Sequence, residues 1–241
     1  MSIIKTTDDI KRLGTILCVW AHPDDETFTM AGIIAAAIKN GQKVICVTAT
    51  CGEKGVEDES RWPAEHLAEI RKAELKNALK ELGVTEHHVL NYPDGGCSET
   101  NNQEAVSRIT EFIKNNHPNS IMTFGSDGLT GHEDHKTVSG WVGQALMKSG
   151  ETAQIYHAAL SPGQREGFAK TDEKLNFFFN TKYPPICEES QAAICINLDD
   201  YLFARKIQAL KAHESQYTKM FELFDGQLRP AFGTEVFARA W

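Results

Sequence analysis

The sequence predicts an α/β protein of the doubly wound, Rossmann-like kind: a mainly parallel sheet with helices on both faces, in one domain spanning residues 1–241. Two observations carry this. Apolar strand-like runs alternate with segments of helical period from the start of the chain, and such βαβα order gives parallel strands with crossover helices. The length of 241 residues, 41% hydrophobic and 24% charged, suits one globular domain with a substantial core.

Residues 15–21 form a continuous apolar run, the pattern of a buried strand. Residues 27–40 place Met30, Ile33, Ile34, Ala37 and Ile38 at helical spacing, and Gly41 reads as the stop. Residues 43–50 are β-branched and apolar. Residues 62–82 form a long amphipathic helix with Leu67, Ile70, Leu75, Ala78, Leu79 and Leu82 on one side, closed by Gly83. A third strand at 88–92, a third helix at 103–115 and a fourth strand at 120–124 follow, the last entering a Gly-rich loop before a helix near Asp134. After a strand at 154–160, residues 161–191 show no clean period and contain Phe177-Phe178-Phe179 and Pro184-Pro185, which reads as an irregular loop or lid. A late strand at 193–198 and a helix at 199–216 with an acidic N-cap complete the pattern.

A formal net charge of −8 and a pI near 5.6 argue against nucleic acid as a partner. The early apolar run at 16–21 is far short of the roughly 20 residues a membrane helix needs, so neither a membrane anchor nor a signal peptide is expected. Six cysteines without a CxxC pair read as free thiols in a reducing cytoplasm. Homo-oligomer formation is left open.

The first strand ends abruptly in His22-Pro23-Asp24-Asp25-Glu26. A dinucleotide-binding fold places a G-x-G-x-x-G turn there, which this chain lacks; carboxylates at that position repel a phosphate and attract a cation. His and Asp are good zinc ligands, and a catalytic zinc wants three protein ligands with a fourth position open for water. Two neighbouring aspartates do not easily reach one ion from one turn, so one ligates while the other handles a proton. An Asx turn and N-cap is the plainer alternative. The second cluster, Gly131-His132-Glu133-Asp134-His135, follows the fourth strand and opens a helix, which brings it to the same rim of the sheet.

With these two segments the chain resembles the LmbE/PIG-L family of zinc-dependent N-acetylglucosaminyl deacetylases. Arg71-Lys72-Ala73-Glu74, Tyr92-Pro93-Asp94-Gly95 and, more loosely, Lys211-Ala212-His213-Glu214-Ser215-Gln216 stand in the family's usual order. The resemblance implies an LmbE-like fold and removal of an N-acetyl group from a small-molecule amino-sugar substrate. It implies zinc, or iron or another divalent metal, held by His22, Asp25 and His135. Asp24 would be the general base, His132 the acid and oxyanion stabiliser in its protonated form, and Asp134 the carboxylate that orients His132. Arg71 and Asp94 would contact the substrate.

Plainer readings stand beside these. Arg71 and Glu74 make a surface pair at helical spacing, Asp94 belongs to a turn, and His213 interacts with a helix C-terminus. Other functions to weigh are an amidase for another acyl group, such as that of a thiol conjugate, and a non-catalytic metal- or carbohydrate-binding protein.

Overall fold

A computed structural model describes residues 2–175, 178, 180–181, 184–224 and 226–240. Five strands run parallel: β1 (Ile16–Trp20), β2 (Val44–Thr50), β3 (Glu86–Tyr92), β4 (Ser120–Thr123) and β5 (Gln154–Ala159). Every residue of β1, β2 and β4 is buried, which is why these strands read as unbroken apolar runs. Two further strands, β6 (Ile194–Asn197) and β7 (Thr234–Arg239), complete a seven-stranded sheet in the order β3-β2-β1-β4-β5-β7-β6.

The crossover helices are α1 (Asp25–Lys39), α2 (Leu67–Leu82), α3 (Asn102–Asn116) and α4 (Glu133–Ser149). Local chemistry sets their ends: Asn101 Oδ1 accepts from the Gln103 and Glu104 N–H groups, and α2 stops at Gly83 in the left-handed region. The helix expected from residue 62 starts at Leu67, because Pro63 and a 3-10 turn over Ala64–His66 precede it. α1 and α2 pack with α6 (Asp200–Lys211), while α3 and α4 pack on each other. The chain leaves β1 toward β2 on one side and returns to β4 on the other, so a crevice opens beyond the carboxyl ends of β1 and β4.

Three expectations require correction. The segment 161–191 is not irregular throughout: α5 occupies Pro162–Leu175 and a 3-10 turn Glu189–Gln191. Its period is masked because one contact is made by glycine; a Cβ on Gly167 would lie 2.6 Å from the backbone of Pro230 and Ala231. Phe177 and Phe179 lie outside the described residues. The helix expected at 199–216 is two, α6 and α7 (Glu214–Phe224), broken at His213. The strand β7, preceded by the short α8 (Arg229–Phe232), lies beyond the last element read from the sequence and pairs antiparallel with both β5 and β6.

Glu235 explains why β7 escaped notice: a buried carboxylate takes an inward position, leaving only Val236-Phe237-Ala238 as an apolar run. α1 leaves helical geometry at Met30 (φ −146°, ψ 22°), and the N–H groups of Gly32 and Ile33 donate to Glu235 at 2.9 and 2.8 Å. Lys206 of α6, also fully buried, neutralises that carboxylate at 2.8 Å. An internal break in α1 is thus capped by β7 and held by α6.

Candidate active site

The chain leaves β1 through Ala21, whose carbonyl accepts from both the N–H and the hydroxyl of Thr50, so the loop is pinned to β2. His22 is buried, and its N–H donates to Asp25 Oδ2 at 2.7 Å. Asp24 has φ 112°, a region that costs a non-glycine residue on the order of 1–3 kcal/mol. The turn is held because Asp24 O accepts from the Phe28 N–H and Pro23 O accepts from Arg71. Asp24 occupies the N-cap position of α1, yet its side chain makes no cap hydrogen bond, so capping does not account for it.

After β4, Gly128 (φ 73°) sits where a Cβ would lie 3.0 Å from His132 O and 3.2 Å from His135 Cβ. Its carbonyl can therefore reach His135 Nδ1, at 2.8 Å, which leaves Nε2 as the free ring nitrogen. His132 is the N-cap of α4, and its Nδ1 accepts from the Asp134 N–H at 3.1 Å.

The two loops converge. His22 Nδ1 lies 3.1 Å from His135 Nε2, Asp25 Oδ2 is 3.7 Å from His22 Nδ1, and Asp25 Oδ1 is 3.5 Å from His135 Nε2. Donors about 2.0–2.1 Å from a tetrahedral ion stand about 3.3 Å apart, so this triangle fits a small divalent metal. Two further donor sets share His22: His22 with His132 and His135, and His22 with Asp94 and Asp134. The second is already engaged, since Asp134 accepts from the Gly95 and Cys97 N–H groups and Asp94 from that of Lys54.

That engagement corrects one expected role. The Asp134 carboxylate does not orient His132; Oδ2 lies 3.3 Å from His22 Nε2, and Asp94 Oδ1 lies 3.0 Å from the same nitrogen. Only the backbone N–H of Asp134 touches the His132 ring. Arg71 is no surface residue: it is buried, donates to Gly52 O and Pro23 O at 2.7 and 2.6 Å, and stands 3.4 Å from Asp24 Oδ1. Glu74 is buried too, accepting from the N–H and hydroxyl of Ser215. The His213 carbonyl opens α7 by accepting from the Gln216 and Tyr217 N–H groups, but its ring serves no helix end; it is fully buried behind the first loop, with Nε2 3.3 Å from Thr27 Oγ1 and 3.7 Å from Glu26 Oε1.

The electrostatics call for a cation. Asp25, Asp94 and Asp134 stand around the His22 ring, Glu26 lies behind it at His213, and Asp24 is 3.4 Å from the buried guanidinium of Arg71. Burial opposes charge on His22, but Asp134 and Asp94 override it and raise the imidazole to about 10. Burial pushes the Asp25 carboxyl up to about 8 and the Asp24 carboxyl up as well, with Arg71 opposing the latter. Burial, then the charge on His22, lowers both His132 and His135.

A cavity of about 410 Å³ opens over these groups. His22, Asp24, Asp25, His132 and His135 line it, as do the expected substrate contacts Arg71 and Asp94. Lys54, Gly55 and Glu57 from the loop after β2 and Phe178 from beyond α5 add to the lining. Gln216 and Tyr217 of α7 went unassigned in the sequence. Gln216 was visible only as part of the motif near Ser215; it donates to Gly55 O at 2.6 Å and ties α7 to the loop after β2.

Residues 17–146 match the family described as GlcNAc-PI de-N-acetylase, PIG-L. A 1D-myo-inositol 2-acetamido-2-deoxy-alpha-D-glucopyranoside deacetylase 2 from Catenulispora acidiphila is 30% identical over 246 residues, covering 85% of this chain and 80% of its own. Among solved structures, the N,N'-diacetylchitobiose deacetylase of Pyrococcus horikoshii superposes with a TM-score of 0.67 at 22% identity, covering 96% of this chain and 85% of that one. GalB, a 4-carboxy-2-hydroxymuconate hydratase of Pseudomonas putida, gives 0.62 at 16%, with 95% and 96% covered. At these identities the two structures share the fold alone, and a fold with a hydratase among its members does not decide the reaction.

Proposed function

The chain belongs to the PIG-L, LmbE-like family of deacetylases, and on that premise we propose that it removes the N-acetyl group from an N-acetylglucosamine-type amino sugar or its conjugate. The observation that carries the reading is one cavity holding the His22, Asp25 and His135 triangle together with Asp24 and His132, neither of which the triangle needs.

Zinc is the metal we assign to the triangle, and when bound it would lower the pKa of the attacking water and polarise the amide carbonyl. Asp94 and Asp134 accept from His22 Nε2 and Gly128 O accepts from His135 Nδ1, so each ring presents its other nitrogen inward. Asp24 takes a proton from the water as it attacks; burial makes it a stronger base than a surface aspartate, and Arg71, 3.4 Å away, opposes that rise. His132 stays neutral, because its Nδ1 already accepts from the Asp134 N–H, and donates Nε2–H to the developing oxyanion. With His132 Nδ1 occupied, Asp24 returns its proton to the leaving nitrogen as the C–N bond breaks, releasing acetate and the amine. Arg71 acts by holding Asp24 and the Pro23 carbonyl, and Asp94 by holding His22.

A cytoplasmic location fits the same reading, supported by six free, buried cysteines. None of the described helices is long and apolar enough to cross a membrane. The decisive measurement is acetate release from a panel of N-acetylglucosaminyl compounds, with Asp24→Ala and metal-stripped protein as controls. Turnover that survives either control would sink the mechanism.

A further inference from the structure

The lining of the cavity changes character around the reacting groups. Lys54 and Glu57 are exposed and Gln216 half-buried, a polar edge that suits a sugar; Leu129 and Phe178 are buried and Phe28 half-buried, an apolar set that suits a hydrocarbon. The aromatic members are braced from behind, since Phe28 stacks on Phe168 at 5.5 Å and Phe178 meets Phe168 edge-on at 6.1 Å. Leu129 reaches this wall from the loop that places His132.

Leu129 has φ 61°, where a side chain branched beyond Cβ is uncommon and glycine is at ease. The turn is held by neighbours: the Leu129 N–H donates to Asp127 Oδ1 at 2.6 Å, the Gly128 N–H to Gly125 O at 3.0 Å, and the Thr130 N–H to Gly128 O. A strained backbone that persists with a large side chain points to a use for that side chain. Here the side chain is 2% exposed and lines the cavity three residues before His132. The adjoining Gly131 lies so close to the segment that follows Phe178 that a Cβ would come within 2.5 Å of Asn180 O, so the two stretches that carry Leu129 and Phe178 meet beside the cavity both residues line.

We infer that Leu129 is a specificity-determining residue that limits the length of the acyl chain this enzyme removes; the inference rests on the reading of the chain as an amide hydrolase. The reacting carbonyl carbon lies between Asp24, His132 and the His22, Asp25, His135 triangle. Its oxygen faces His132, and its nitrogen leads the sugar to the polar rim. The third substituent, the acyl group, is left facing the apolar wall. Leu129 closes that wall next to the oxyanion donor, so it meets the carbon after the acetyl methyl.

The test is the ratio of kcat/KM for N-acetyl, N-propanoyl and N-butanoyl methyl glucosaminides, in the zinc-loaded full chain and in Leu129→Gly and Leu129→Ala. Glycine relieves the backbone at this position and alanine keeps the Cβ, so the pair separates cavity depth from backbone freedom; thermal unfolding of each checks that it folds. The wild type is expected to prefer acetyl over butanoyl by tenfold or more, and both variants to raise the butanoyl-to-acetyl ratio about tenfold. Variants that slow all three substrates by one common factor overturn the inference and make Leu129 a packing residue. A ratio that responds instead to a longer alkyl aglycone overturns it in favour of an aglycone wall. A wild type that releases no carboxylate from any of the three defeats the amide-hydrolase reading itself, a result distinct from an unchanged ratio.

Discussion

Asp134 lies 3.3 Å from His22 through its carboxylate and caps onto the neighbouring His132 only through its backbone N–H. One residue of α4 thereby orients a ring on the loop after β1 and fixes the tautomer of a ring on its own loop. The carboxylate also accepts from the Gly95 and Cys97 N–H groups, so it is fastened to the loop after β3. Three loops at the carboxyl ends of three strands meet on this side chain.

Asp134→Asn is therefore expected to weaken metal binding rather than disturb His132. Loss of a partner carboxylate behind a ligating histidine lowers metal affinity about 10–100-fold. Chelator competition would measure this. Unchanged affinity with a displaced pH profile would return Asp134 to the role first expected, as the partner of His132.

Asp24→Asn is expected to retain metal and fold while lowering kcat by about 10²–10⁴, the range for a positioned general base. Arg71→Lys should lower kcat by about tenfold with metal content intact, because an ammonium does not span Gly52 O, Pro23 O and Asp24 as the planar guanidinium does. Metal analysis beside steady-state kinetics separates these effects from loss of the site. An Arg71→Lys enzyme with full kcat and a raised KM would make Arg71 a substrate contact instead.

The pH dependence of stability should differ in sign between stripped and metal-loaded protein. In stripped protein His22 is raised from 6.5 to about 10, so its contribution is full below pH 6.5 and is lost as pH rises toward 10. Asp25, raised from 3.8 to about 8, acts in the same direction: its folded form favours the proton, and stability falls as pH rises through that interval. Stripped protein should unfold at lower temperature at pH 9 than at pH 6. Metal requires deprotonated ligands, so the stabilisation it confers grows over the same interval. Parallel pH slopes for the two forms would show that these side chains do not hold the metal.

Lys206→Met should cost roughly 3–5 kcal/mol in denaturant unfolding, the usual consequence of leaving one partner of a buried ion pair alone. The double variant Lys206→Met with Glu235→Gln should recover part of that loss, since the amide oxygen still accepts from one of the two N–H groups at the break in α1. A double variant no more stable than the single one would mean that the carboxylate, rather than its pairing, caps the break.

The order of strands and helices through β5, and the meeting of the two histidine-bearing loops at one rim, could be read from the sequence. Both follow from local causes: buried parallel strands write continuous apolar runs, helical faces write a 3.6-residue period, and loops at the carboxyl ends of parallel strands share a side. Residues whose work is done across long separations could not be assigned in this way. Glu235 in a short strand, Arg71 on a polar-looking helix face and His213 beside a helix end carry no local mark of burial, because the partners that make burial affordable come from other elements. The partner of the Asp134 carboxylate was open for the same reason. The family resemblance implies His132 as its partner, but the path of the backbone points it at His22, 112 residues away. The residue types and the reaction they suit were set by the sequence alone; which carboxylate serves which imidazole was decided by the packing of three loops on one sheet edge.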